Sequence, residues 1–257
     1  MSSLFRRIEN RVRNFISPHP DVSEFYAIAS DDLKTAYSGR SADIFFSNNE
    51  KTVYKWLHYL HIYDQLLGPY IGSDVKMLEI GVYRGGSLEL WRKLLGEQAL
   101  IFGIDINPLC ASYGGNNAVV RIGSQSDPDF LQSVVDEMGG LDVVLDDGSH
   151  VASDQQASFE ALYPLLGEGG LYIIEDMQTA YWPLGYDGGL KRKGTAIEFL
   201  KEKVDEMHRH YWRKSGHSAE QIPDIESIQF FDGLAVVRKR RQLPRVHVKV
   251  PERESLA

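Results

Sequence analysis

A single cysteine, Cys110, stands among 257 residues. It excludes a disulfide framework within the chain and fits a reducing compartment. A basic surplus is missing as well. The formal net charge is −8, which argues against a general nucleic-acid binder, whose phosphate contacts demand a basic surface. No apolar run approaches the ~20 residues of a membrane span, and no signal-peptide pattern opens the chain. The expectation is a soluble, cytoplasmic protein. The G-x-G-x-x-G spacing of a dinucleotide pyrophosphate site is also absent, which disfavours nicotinamide chemistry.

What is present is mostly one large α/β pattern. Leu4–Ile16 places Leu4, Ile8, Val12, Phe15 and Ile16 on one helical face, with four arginines mostly elsewhere. That helix suits a terminal arm packed on its own body or on a partner subunit, and a homo-oligomer is expected; contact with an anionic membrane is the less favoured reading. Residues 22–49 show no clear period and read as irregular connection or short helices. Lys51–Leu67 has helical spacing and ends at Gly68-Pro69. Its Lys55, His58, Tyr59, His61 and Tyr63 read as interfacial side chains with polar tips outward, or alternatively as a cap on a pocket.

From Lys76 onward, strands and helices alternate. Strands are expected at Lys76–Val82, Ala99–Ile106, Ala118–Ser124, around Leu141–Asp147, and at Gly169–Asp176. Helices are expected at Ser87–Leu95, Asp127–Met138, Ser153–Leu165 and Gly194–Lys214. Two last strands, Ser227–Phe231 and Leu234–Arg240, flank the hairpin signal Asp232-Gly233. Repeated βα units imply a parallel sheet with right-handed crossovers and helices on both faces, closed by an antiparallel hairpin. The predicted organisation is an N-terminal helical arm over 1–50, an α/β domain over 51–240 and a basic tail over 241–257.

Two stretches carry the chemistry. In the first, a strand through Glu79 reaches Gly81, and Gly85-Gly86-Ser87 opens a helix, a setting in which a ligand can approach the helix N-terminus. Glu79 with Tyr83 and Arg84 is a poor environment for a diphosphate and a better one for a cationic ligand. Asp105, at the end of the second strand, is placed to accept hydrogen bonds from ribose hydroxyls. In the second stretch, LDVVLDDGSH over Leu141–His150, an apolar strand stops in two acids at the edge where open α/β sheets bind ligands. One helix separates it from the strand ending in Glu175-Asp176, so a single crossover makes the two strands neighbours. Asp147, Glu175 and Asp176 would then share one rim, where their repulsion favours a bound cation. An all-oxygen set favours Mg²⁺; the competing reading is three solvated turn acids. Asp146 points the other way along the strand and is assigned to the cofactor side. His150 follows across the Gly-Ser turn at the expected mouth of the site, where a histidine can accept a hydroxyl proton as general base. Gln178, Thr179, Tyr181 and Trp182 either contact an acceptor or form a loop over the sheet.

Glu79-Ile80-Gly81 with Gly85-Gly86-Ser87, then Gly103-Ile104-Asp105, resemble the first two motifs of class I S-adenosylmethionine-dependent methyltransferases. DDGSH (Asp146–His150) and IEDMQTAYW (Ile174–Trp182) resemble more narrowly the metal-dependent sugar O-methyltransferases of the macrocin and mycinamicin type, with cephalosporin hydroxylase-like neighbours. The resemblance covers roughly Lys55 to Trp182. It implies a Rossmann-like, mostly parallel seven-stranded sheet, S-adenosylmethionine as cofactor, and Mg²⁺ on Asp147, Glu175 and Asp176. It also implies His150 as general base and a small hydroxyl acceptor, a sugar or glycoside. The expected cofactor-binding set is Glu79, Gly81, Tyr83, Gly85, Ser87, Asp105, Ser124 and Asp146. A catechol-type methyltransferase, a hydroxylase and a non-catalytic tailoring protein on the same fold are the alternatives.

Overall fold

A computed structural model describes residues 31–115, 118–211, 224–243 and 245–250. The amphipathic helix expected at 4–16 lies outside them. The first described elements are two short helices, α1 (Asp31–Ala36) and α2 (Arg40–Phe46). The second packs on the domain, where Asp64 Oδ1 accepts hydrogen bonds from the Ser41 backbone N–H at 2.8 Å and the Ser41 hydroxyl at 2.6 Å.

Lys51–Leu67 is not one helix. Only α3 (Leu60–Leu67) is α-helical, after a 3₁₀ turn at Leu57–Tyr59. Residues 52–56 belong to no helix or strand. The β-branched pair Thr52-Val53 weakens helix propensity there, and Lys55 and Trp56 are drawn away to distant acids described below.

Among the described residues, seven strands form one sheet in the order β3-β2-β1-β4-β5-β7-β6. They are β1 (Lys76–Ile80), β2 (Leu100–Asp105), β3 (Val119–Ile122), β4 (Val143–Asp146), β5 (Leu171–Ile174), β6 (Ile225–Phe231) and β7 (Leu234–Lys239). The first five pair in parallel, and β7 runs antiparallel to both β5 and β6. Four helices fill the crossovers: α4 (Gly86–Leu95), α5 (Pro128–Met138), α6 (Ala152–Leu162) and α7 (Ala196–Met207). Asp127 caps α5 by accepting from the N–H groups of Asp129 and Phe130, and Pro128 occupies its first turn. The predicted helix 194–214 is shorter than its pattern: Thr195 caps its start, and a 3₁₀ turn at Arg209–Tyr211 follows Met207. No helix among the described residues is long and apolar enough to cross a membrane.

The strand pleat sorts the core into two layers. Met77, Ile101, Val143, Leu145, Leu171 and Ile173 pack with α3 and α4 on one face. Leu78, Phe102, Val144, Tyr172 and Ile174 pack with α5, α6 and α7 on the other. Because side chains alternate along a strand, this sorting also decides where the acids at the strand ends go. Glu79 is in phase with Met77, Asp147 with Leu145, and Glu175 with Ile173. All three therefore lie towards α3 and α4. Asp146 is in phase with Val144 and lies towards α6.

Candidate active site

An open cavity of about 510 Å³ lies over the C-terminal ends of β1, β2, β4 and β5. One wall is the loop between β1 and α4, with Gly81, Tyr83, Gly86 and Ser87. Asp105 lies across from it, and Asp147, His150, Glu175 and Asp176 close one end. The remaining wall is the extended segment with Thr52, Tyr54, Lys55 and Trp56. A smaller cleft of about 190 Å³, lined by Asp105, Ser124 and Gln125, continues beyond Gly81.

The half of the cavity beside the glycine loop is built by close backbone approach. Gly81 has φ +95°, and a Cβ there would lie 2.1 Å from the carbonyl oxygen of Asp147. At Gly86 a Cβ would lie 2.2 Å from the carbonyl oxygen of Thr52. Asp105 Oδ2 accepts from the N–H groups of Val82 and Tyr83 at 3.0 and 3.1 Å, and Oδ1 from that of Asn107 at 2.8 Å. These bonds hold the loop to β2; the two donors fill Oδ2, and Oδ1 keeps a second lone pair for a ligand hydroxyl.

Three of the expected cofactor residues, Glu79, Gly85 and Asp146, open on neither cavity. Glu79 is fully buried; its oxygens accept from Ser87 Oγ at 2.9 Å and Trp91 Nε1 at 3.0 Å. Desolvation pushes its carboxyl up to about 7, against the pull of Lys55 and of the Trp91 hydrogen bond. Asp146 is also fully buried. It accepts from Ser158 Oγ at 2.7 Å, Tyr172 OH at 3.2 Å and Gln125 Nε2 at 3.2 Å, and burial raises its carboxyl to about 6. The pleat turned it as expected, but towards α6 and the core. Its reach is indirect: Gln125 Oε1 accepts from the Ser149 N–H at 2.7 Å and so pins the turn carrying Asp147 and His150. Gly85 abuts the Tyr113 ring behind the loop, whereas Gly81, Tyr83, Ser87, Asp105 and Ser124 line the cavities.

The acidic half is assembled from afar. Asp176 has φ +54°, a left-handed conformation that aspartate tolerates better than most residues with a side chain. It breaks the strand alternation and brings the Asp176 side chain round to the side of Asp147. His150, with φ +57°, is turned likewise. Its Nε2 lies 3.8 Å from Asp147 Oδ1 and 3.7 Å from Asp176 Oδ2, and Thr179 Oγ1 donates to the His150 carbonyl at 3.1 Å. One ligand atom from each of Asp147, His150 and Asp176 falls within 4.8 Å of the others. Two carboxylate oxygens and an imidazole nitrogen that near are a donor set suited to a divalent cation.

Glu175 lies beside this trio, almost wholly buried. Lys55 Nζ donates to its Oε2 at 2.7 Å and to Asp147 Oδ2 at 2.6 Å, while Tyr63 OH donates to its Oε1 at 2.5 Å. Burial alone would lower the Lys55 ammonium, but the charges of Asp147 and Glu175 outweigh it and hold the group well above its usual value. Asp176 Oδ1 accepts from Trp56 Nε1 at 3.0 Å and Tyr59 OH at 3.1 Å. The outward-facing expectation for Lys55, Tyr59 and Tyr63 is therefore corrected: their polar tips point into the site. The signal was there in the four-residue spacing of Tyr59 and Tyr63, which puts both on one helical face. Of the residues after Asp176, Thr179 supports His150, whereas Gln178 and Tyr181 line a separate surface cleft with Phe230.

The strand order with an antiparallel β7, the glycine bend after β1 and the acid ending β2 define a class I methyltransferase fold. Residues 78–177 match the family described as a methyltransferase domain. Among curated proteins it is 34% identical over 237 residues to 8-demethyl-8-(2-methoxy-alpha-L-rhamnosyl)-tetracenomycin-C 3'-O-methyltransferase of Streptomyces olivaceus, covering 86% of this chain and 60% of that protein. It is 36% identical to demethylmacrocin O-methyltransferase of Streptomyces fradiae, covering 69% of this chain and 47% of the relative. Among solved structures it resembles the MycE methyltransferase from the mycinamycin biosynthetic pathway, in complex with Mg, SAH and mycinamycin VI. There the TM-score is 0.68 at 30% identity, covering 82% of this chain and 54% of that one. The chain thus spans about half the length of the relatives it matches.

Proposed function

We propose that this chain is a Mg²⁺-dependent O-methyltransferase that moves a methyl group from S-adenosylmethionine to a hydroxyl of a sugar, glycoside or similar vicinal diol. The observation that carries this reading is the convergence of Asp147, Asp176 and His150 Nε2 at the end of a cavity whose other walls suit a nucleoside. The relatives support it: each is named as a methyltransferase, and the MycE complexes contain Mg and SAH.

Asp147, Glu175 and Asp176 would hold the cation. Glu175 lines the cavity, and its pairing with Lys55 leaves lone pairs on its oxygens. Bound there, a divalent ion supplies a charge that orients two neighbouring hydroxyls and lowers the pKa of one. His150 takes that hydroxyl's proton at Nε2, the nitrogen facing both carboxylates. Asp105 receives ribose hydroxyls, and the turn at Gly81 lets the ligand lie close over β1. Buried Glu79 acts on a cationic ligand through its field rather than by contact. Calorimetric titration with S-adenosylhomocysteine tests the cofactor half; no binding at ~1 mM, the weak end of specific affinities, sinks the reading.

The three-donor cluster favours one alternative role for His150, as a ligand of the ion. Mg²⁺ titration of His150→Ala separates the two: a general base leaves metal affinity intact, a ligand does not.

A further inference from the structure

The wall formed by residues 51–56 is tied at both ends to parts of the site far apart in sequence. Lys51 Nζ lies 2.9 Å from Glu89 Oε1 on α4, the helix that opens the cofactor loop. The backbone of Thr52 rests directly on Gly86. Three residues on, Lys55 sits between Asp147 and Glu175 with its side chain 3% exposed, and Trp56 donates to Asp176. Between these anchors, residues 52–56 have no helix or strand to fix them. Their place over the cavity depends on these ties and on the packing of Val53 and Trp56 against the core. Of the charged ties, the one at Lys55 is the most buried and joins two carboxylates at once. A buried ammonium held by two carboxylates is strongly position-determining, because withdrawing it leaves uncompensated buried charge.

From this geometry we infer that Lys55 is a positioning residue for the cofactor. Its ammonium latches the 51–56 segment across the cavity, so that the acidic end of the site controls how tightly the nucleoside end is enclosed. Asp147 thereby has two neighbours with separate tasks: Oδ1 faces His150, and Oδ2 anchors the latch. The consequence for binding falls on ligand escape rather than on encounter, since a wall that opens more often shortens residence.

The inference rests on the cofactor reading of the cavity, and the test separates the two. Dissociation of S-adenosylhomocysteine is followed by stopped-flow in metal-free wild-type protein, Lys55→Met and Lys55→Arg. Backbone hydrogen exchange of residues 51–56 is measured beside that of α3. The Met variant is expected to release the ligand about tenfold faster, a loss of one order in residence, and to exchange faster at 51–56 but not in α3. The Arg variant, which keeps the charge, restores much of both. An off-rate and an exchange pattern unchanged in a folded Met variant overturn the latch. If Met at this position prevents folding, Lys55→Gln carries the same expectation. Failure of the wild type to bind S-adenosylhomocysteine removes the cofactor reading instead, and the exchange comparison alone then decides whether Lys55 holds the segment.

Discussion

The two acids that end β4 are neighbours in sequence and opposites in circumstance. Asp146 is fully buried, and the donors of Ser158, Tyr172 and Gln125 satisfy it. Asp147 is partly exposed, with one oxygen on Lys55 and the other turned towards His150. Glu79 and Glu175 repeat the contrast. The first is closed off by Ser87 and Trp91, while the second lines the cavity among Lys55 and Tyr63. Carboxylates at the same rim are thus either structural or available, and what separates them is the pleat together with what the facing helix offers. An acid facing a helix that supplies neutral donors becomes part of the core. An acid at the open end of the sheet, opposed by the Lys55 ammonium and at most one neutral donor, keeps capacity for a cation.

The largest effect should come from the available set. Asp147→Asn preserves volume and a partner for Lys55 while removing the charge beside His150. Turnover should fall by about a thousandfold, the scale of losing a main electrostatic contact in a site, with S-adenosylhomocysteine affinity nearly unchanged by calorimetry. Next is His150→Ala, expected to lose about a hundredfold or more in kcat, as for removal of a general base, with Mg²⁺ binding retained. Substitutions in the satisfied set should show in stability instead. Glu79 is protonated more readily folded than unfolded, because burial lifts it from the ordinary carboxylate range to about 7. Its contribution to stability is therefore fully present below pH ~4.5 and is lost as pH rises towards 7. Glu79→Gln should flatten that decline by about 1–3 kcal/mol between pH 5 and 8, read from urea melts; an unchanged pH slope would contradict the assignment. The smallest expected effect is Tyr59→Phe, which deletes the bonds to Asp176 Oδ1 and the Gly233 carbonyl. A cost of about 1 kcal/mol is expected in thermal unfolding.

Local pattern made the sheet and the glycine-loop wall of the cavity readable. The alternation of apolar strands with helices, the break at Gly81 and the acid at Asp105 are short-range features, and the pairing of β4 with β5 follows from a single crossover. Asp147, Glu175 and His150 were foreseeable from their place at strand ends. The fates of Asp146 and Glu79 were not, because they depend on Ser158, Tyr172 and Trp91, donors that only the packed helices bring up. Lys55 and Trp56 were hidden for another reason. Their stretch has helical spacing, and tertiary ties to acids 90 to 120 positions away hold it extended. Propensity carries no information about such long-range contacts. The left-handed turns at His150 and Asp176 likewise have no sequence signature at a non-glycine residue, yet they bring the donor set together.

The central claim is that the rim acids exist to make methyl transfer depend on a cation. It is tested most directly by incubating wild-type protein with methyl-labelled S-adenosylmethionine and a panel of sugars and glycosides, with Mg²⁺ or with EDTA. The account predicts label in an acceptor hydroxyl only with Mg²⁺, and about a thousandfold slower labelling by Asp147→Asn in its presence. Equal transfer in EDTA, or undiminished transfer by Asp147→Asn, would contradict it.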